Sequence, residues 1–435
     1  MRARHADPAE AEVPQQRRIL AVLVFSQILS GAGLAAGITV GALLAEEMLG
    51  STGLAGVPSA LFTAGAALGA VGIGQVCRGH GRRPGLALGY AVGALGSLGV
   101  VAAAALGNAV LLFTSLFVYG AGTATNLMAR YAGADLASPA RRGRAVSTVL
   151  FATTLGAVIG PNLVTVTGQV AHSWGIPRLA GPFLLAVAAF GAASVVLAVL
   201  LRPDPLRLAE KLAAAQAGIA AESPADEAGS GPDARPERRG VVTGTGIMIL
   251  TQLVMIAVMT MTPVHMQAHG HGTQAAGWVI ALHVGAMFLP SPLTGLLVDR
   301  FGRRWIAGAA GPVLLAAGVV AAAAPDSVPA LATALVLLGL GWNFGLVSGT
   351  ALVTDALPPA RRASAQGLVD VGIALAGATG GMLSGPVVVL GGYPTLALAG
   401  GILAMALVPV LAWAAGRPPR TVTAPAAPLT ETEQG

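Results

Sequence analysis

Asp370 is a carboxylate set inside an apolar run, eight residues beyond the pair Arg361-Arg362. Gly367, Ala374, Gly377 and Gly381 recur around it at three-and-four spacing, which places all five on one small-residue face of a helix. An ionisable group at such depth is costly and is a functional candidate by default. Its carboxyl could load and release a proton, or hold a neighbouring helix by a hydrogen bond; the residues leave both readings open. His283, inside another apolar run, titrates near neutrality and is a second proton candidate beside the plainer reading of a satisfied core histidine. His265, His269 and His271 have the side chains of metal ligands, but neighbouring glycines place them in a loop, and they read as solvated histidines with no metal expected. Cys77 is the only cysteine, which excludes an intrachain disulfide and a cysteine metal cluster. The sole lysine, Lys211, follows Glu210, so no phosphate-binding Gly-Lys pair exists. HExxH and GxSxG are absent too. Neither catalysis nor a cofactor is expected.

These groups are carried by an unusually apolar chain. Of 435 residues, 54% are hydrophobic and 10% charged, against about 25% charged in a soluble domain. Mean hydropathy is +0.74. The apolar residues fall in blocks of about 20, long enough to cross a bilayer core of roughly 30 Å. Twelve spans are predicted near 19–45, 52–77, 85–106, 109–132, 145–170, 180–201, 241–264, 274–298, 305–324, 328–354, 363–390 and 393–415. The net charge of +6 does not point to nucleic acid, because the basic residues sit in short clusters between the blocks. With these spans, Arg178 alone falls on one face and the other 24 basic residues on the opposite one, which directs both termini to the cytoplasm. The bias toward Arg, Ala and Gly suggests a GC-rich bacterial genome, hence the bacterial plasma membrane.

The chain also repeats itself. Asp135, Pro139, Arg141 and Arg142 recur as Asp355, Pro359, Arg361 and Arg362 at an offset of 220. Gly81-Arg82-Arg83 recurs as Gly302-Arg303-Arg304, and Arg17-Arg18 as Arg238-Arg239, at 221. Two six-helix halves in one orientation are the repeat logic of a secondary transporter. The expected division is a tail over 1–18, halves over 19–201 and 241–415, a linker over 202–240 and a tail over 416–435. The linker begins as an amphipathic stretch and becomes too polar to bury a core.

The loops carry recognisable patterns. The second copy of one reads Gly295, Asp299, Arg300, Gly302, Arg303, Arg304, in the order Gly-x-x-x-Asp-Arg-x-Gly-Arg-Arg. The first is degenerate, with Gly74, Gly81, Arg82 and Arg83 in place but Arg78 where the acid should stand. Span five contains Gly156, Gly160 and Pro161 in the pattern Gly-x-x-x-Gly-Pro. On these residues, and over essentially its whole length, the chain resembles the major facilitator superfamily, and span five is similar to that of its antiporters. The resemblance implies an all-α membrane protein of twelve helices in two six-helix halves. It also implies that the Gly-Arg-Arg loops latch the cytoplasmic side, where Arg78 puts the N-half latch in doubt. The arginine that drug/proton antiporters of the family carry in span four is here Leu116.

The resemblance further implies a cavity lined by spans one, four, seven and ten. Their mid-depth residues Gln27, Asn126, Gln252, Trp342 and Asn343, with Met255 and Met259, suggest a mostly apolar cavity with few fixed charges. That suits a neutral or lipophilic small molecule. The expectation is a monomeric carrier working by alternating access, with protons and the bilayer as its other partners, most simply a proton-coupled exporter. An importer or symporter of a polar metabolite such as a sugar or amino acid is the alternative.

Overall fold

The computed structural model describes residues 14–49, 57–222, 234–409 and 411. The helices are α1 (Gln16–Leu49), α2 (Val57–His80), α3 (Arg82–Leu106), α4 (Ala109–Ala134), α5 (Arg142–Ser173), α6 (Gly181–Leu200), α7 (Pro205–Glu222), α8 (Ala234–Ala268), α9 (Thr273–Phe288), α10 (Ser291–Phe301), α11 (Arg303–Ala323), α12 (Val328–Ala356) and α13 (Pro359–Ala404). No strand occurs among the described residues. Among the described residues, ten stretches are long and apolar enough to span a bilayer. The helix Arg142–Ser173 adds one, and the stretch Pro359–Pro409 divides at Gly392 into two, which gives twelve.

Two boundaries differ in form from the sequence reading. Span eight is broken rather than continuous, with Leu289 and Pro290 between α9 and α10. Pro290 and Pro292 lack the N–H that would continue the ladder. The break is stitched from α12: Asn343 Nδ2 donates to Met287 O and Ser291 Oγ, both at 2.7 Å. In an apolar medium backbone polar groups at such a break need partners from within the protein. Spans eleven and twelve form one unbroken helical run except at Gly392, whose φ of 79° reverses the chain. Beyond it the chain runs antiparallel to α11, with Gly318 against Ala397 and Gly311 against Ala404.

Close packing explains the glycine content. In span five Gly156 is buried, and a Cβ there would lie 2.2 Å from Ile28 O, so α1 and α5 touch backbone to backbone. Gly160 and Pro161 lie within α5, but their contacts fall outside the described residues. At one end of the bundle sit the turns at 81, 135–141, 302 and 357–358; this is the basic face. Gly81 and Gly302 hold φ of 100° and 97° at equivalent points of the repeat, a region that L side chains avoid. Segment 202–204 lies at the same face and leads into α7.

Candidate functional site

At the basic face the two halves meet through pairs that the repeat makes equivalent. Asp135, closing α4, is ion-paired to Arg82 of its own half at 2.8 Å and to Arg362 of the other half at 4.0 Å. Arg362 also donates to the backbone oxygens of Asp135, at 3.2 Å, and Leu357, at 3.0 Å. Asp355, closing α12, is ion-paired to Arg303 of its own half at 2.7 Å and to Arg142 of the other. Each acid thus joins one arginine from each half. The side chains of the Asp135 set are almost fully buried, whereas the Asp355 carboxylate is 29% exposed. Asp135 lies at the end of α4 on the basic face, yet its carboxylate is buried. Arg82 extends the first set by donating to Gln366 of α13.

The glycines of the two loop patterns lie where the halves cross. Gly74 of α2 faces Gly367 of α13, with only 3.2 Å between its Cβ position and the Gly367 Cα. Gly295 of α10 faces α5, where a Cβ would strike Ser147 Oγ at 2.0 Å and Gly143 O at 2.5 Å. Asp299 accepts from the backbone N–H of Gly143 at 2.8 Å and of Arg144 at 3.0 Å. It therefore caps α5 across the interface, where an acid is favoured by the helix dipole. Arg78, its counterpart in the first copy, is exposed and offers its backbone oxygen to Arg207 of α7. The acid missing at 78 is supplied from another quarter. Asp204, at the start of α7, accepts from Arg83 N at 2.7 Å and lies against Gly81, where a Cβ would be 2.4 Å from its Oδ2. The first loop is therefore bound to α7, while its half is closed on the other by Gly74 and Arg82.

Deeper between the halves, Arg130 of α4 donates to Asp370 of α13 at 2.7 Å. The Tyr131 hydroxyl donates to the same Oδ1 at 3.2 Å, and Arg130 also reaches Thr350 Oγ1 at 3.0 Å. The guanidinium lies 4.2 Å from the Tyr131 ring centroid. Asp370 Oδ2 is buried with no hydrogen-bond partner. Sequence reasoning identified Asp370 but not its partner Arg130; nothing in a hydropathy profile ties residues 240 positions apart.

The model of the Major Facilitator Superfamily matches residues 23–270 and 244–432, which together span nearly the whole chain. The chain belongs to the major facilitator superfamily. This superfamily chain is 54% identical to the uncharacterized MFS-type transporter YdeG of Bacillus subtilis, over 92% of this chain and 93% of that one. It is 32% identical to the riboflavin transporter RfnT of Brucella anthropi, over 91% and 95% of the two chains. Among solved structures, the human organic anion transporter MFSD10 superposes with a TM-score of 0.73 at 16% identity, covering 92% of this chain and all of that one, which bears on fold alone. The protein is thus a multi-pass membrane transporter of a family that carries small molecules.

Within that fold the residues singled out for a cavity separate into three groups. Gln27 and Asn126 are buried together in the N-half: Gln27 Nε2 donates to Asn126 O at 3.0 Å and Thr153 Oγ1 at 2.9 Å. Ser30 donates to Asn126 Oδ1 at 2.8 Å, and the Tyr90 hydroxyl donates to Gln27 Oε1. Gln252 and Trp342 meet in the C-half, where the indole N–H donates to Gln252 Oε1 at 2.6 Å and Phe288 stands edge-on to the indole at 5.6 Å. Asn343, next in sequence, points elsewhere and serves the α9–α10 break. Gln252 remains half-buried, and a Cβ added at Gly377 of the Asp370 face would lie 3.2 Å from its amide Nε2. His283 is fully buried, with Nδ1 2.7 Å from Leu335 O and Nε2 without a hydrogen-bond partner, so it lies between α9 and α12, away from the Asp370 network.

Proposed function

We propose that this chain is a proton-coupled exporter of a small neutral or lipophilic compound, acting as a monomer in the bacterial plasma membrane with the basic face and both termini toward the cytoplasm. The arginine bias supports that orientation. The observation that carries the coupling is the Arg130–Asp370 pair, whose members belong to opposite halves and are shielded from water. Such a pair holds the halves together at the basic face only while Asp370 is charged. A proton arriving from outside on the unpartnered Oδ2 neutralises the carboxylate, leaves Arg130 buried without a counterion, and favours separation of the halves on the cytoplasmic side. There the proton leaves and substrate enters; the recharged carboxylate re-forms the pair, and the cavity returns to the outside. The Asp299 cap and the two Asp–Arg sets re-form in the same movement as the cytoplasmic latch.

The half-buried Gln252 and Phe288, backed by the buried Trp342, support the substrate class, because they offer an amide and an aromatic ring without a fixed charge. Import or symport of a polar metabolite such as a sugar or amino acid is the second reading, and the likeness to a riboflavin transporter makes riboflavin a substrate to test in either direction. A substrate panel that includes riboflavin, tested with an imposed pH gradient in inside-out vesicles, separates the two. Uptake against the gradient's proton flow supports export, and depletion supports import. Transport of every substrate without response to the gradient refutes proton coupling.

A further inference from the structure

The three histidines read from sequence as loop residues are drawn together in the structure with an acid and a tyrosine that the sequence did not connect to them. His265 lies in the last turn of α8 and His269 in the turn just past its end, and their rings stand with centroids 4.1 Å apart. Between α11 and α12, Asp326 turns its carboxylate toward both: Oδ1 lies 3.6 Å from His265 Nε2 and 3.6 Å from His269 Nε2. The three donor atoms all lie within 4.8 Å of one another. Donors at about 2.1 Å from a tetrahedral ion stand roughly 3.4 Å apart, and the two His–Asp separations of 3.6 Å are within a few tenths of an ångström of that.

The surroundings orient these donors. His269 Nδ1 is 2.9 Å from His265 O; donating its proton there leaves the Nε2 lone pair facing Asp326, the arrangement common to metal-binding histidines. The His265 ring stacks on Tyr393 at 4.6 Å and 15°, and the Tyr393 hydroxyl is held 2.9 Å from Thr262 Oγ1. His271 Nε2 lies 3.0 Å from Asp326 O and pins the acid's own backbone. A cavity of about 350 Å³ adjoins the cluster, lined by Met261, Val388 and Tyr393 among others, with room for an ion and its waters. His265 Nε2 lies 2.9 Å from Pro325 O, so its proton must move to Nδ1 when an ion binds.

From this convergence we infer that His265, His269 and Asp326 form a binding site for a divalent transition-metal ion of the Zn²⁺ class, on the face opposite the basic one. Two imidazoles and a carboxylate are a borderline-soft set that suits Zn²⁺ or Co²⁺ and is poor for Mg²⁺ or Ca²⁺. Asp326 and His269 are accessible to solvent, at 67% and 46% side-chain exposure, so an ion can enter and a water can complete the coordination. All three donors belong to one half, so the ion ties the outer end of α8 to the α11–α12 turn and leaves the interface between halves free.

The test is Co²⁺ titration of the full chain in detergent, purified through a tag without histidine, and read by the visible ligand-field absorption of tetrahedral Co²⁺. One saturable site per chain is expected, bleached by Zn²⁺ and indifferent to excess Mg²⁺. His269→Ala and Asp326→Asn should each weaken Zn²⁺ binding at least about ten-fold. The conservative His269→Gln should do the same, while His80→Ala should leave the site unchanged. Thermal unfolding of each variant without metal shows that it is folded. Absence of a saturable band in the native chain, its persistence in folded His269→Ala and Asp326→Asn, or its loss in His80→Ala overturns the assignment.

Discussion

Replacing Asp370 by Asn removes a charge from the interface between the halves while keeping size and an oxygen acceptor. Arg130 then loses its counterion in a fully buried position. Breaking a buried pair by removing one partner costs about 3–5 kcal/mol. Here Arg130 keeps three neutral acceptors, namely Thr350 Oγ1, Leu127 O and the Tyr131 hydroxyl, so the lower end applies, about 3 kcal/mol. The penalty falls only on the state closed at the basic face, because opening hydrates Arg130. The equilibrium should therefore move toward basic-face opening by roughly 150-fold, at 1.4 kcal/mol per power of ten. Spin labels at Ala140 and Ala360, exposed equivalents in the two halves, report this as a longer distance in a Cys77→Ala background. Replacing both charges, Arg130→Met with Asp370→Leu, should restore the short distance yet leave transport unresponsive to a pH gradient, since nothing titratable remains in the pair. Substrate counterflow should survive in Asp370→Asn. An unchanged distance in Asp370→Asn, or gradient-driven accumulation that persists in it and in Asp370→Asn/His283→Gln, would refute the reasoning.

Other expectations follow from the same contacts. Asp299→Asn removes the charged cap that α5 receives from the other half and should slow transport about ten-fold at matched expression, whereas Arg78→Ala, on an exposed side chain, should change it less than two-fold. Gly295→Ala introduces a methyl 2.0 Å from Ser147 Oγ and should hold the basic face apart without altering any charge, seen as the same lengthening between Ala140 and Ala360 labels. Gly156→Val forces α1 away from α5, where even a Cβ would lie 2.2 Å from Ile28 O, and should lower the thermal unfolding midpoint or abolish membrane accumulation. A cysteine at Ser327 should react with an impermeant thiol reagent applied outside the cell, and one at Ala140 only after permeabilisation.

Much of the architecture is legible because a bilayer imposes a simple code. Apolar length marks spans, and the 220-residue offset relates Asp135 to Asp355 before any contact is known. In the structure that offset becomes matching Asp–Arg sets, each reaching across the halves. What stays hidden is whether a polar residue at a span's end faces water or protein. Asp135 and Arg130 are buried by the opposite half, which hydropathy along one strand of chain does not register. Asp204 was hidden for a related reason: in the linker's polar sequence nothing marks it as the acid that serves the first loop in place of residue 78. The break in span eight was signalled by Pro290 and Pro292, yet prolines are tolerated in spanning helices, and only the position of Asn343 shows that the ladder is repaired from α12.

The unequal burial of the two Asp–Arg sets makes the closure at the basic face a door with a hinge side and a free edge. Around Asp135 no electrolyte reaches the charges, whereas around Asp355 they are within reach of mobile ions. Added salt should therefore loosen the α5–α10–α12 edge and leave the α2–α13 edge seated, so that the opening swings instead of lifting evenly. A carrier built this way senses the ionic strength of the compartment that its basic face meets, through one corner of its gate alone.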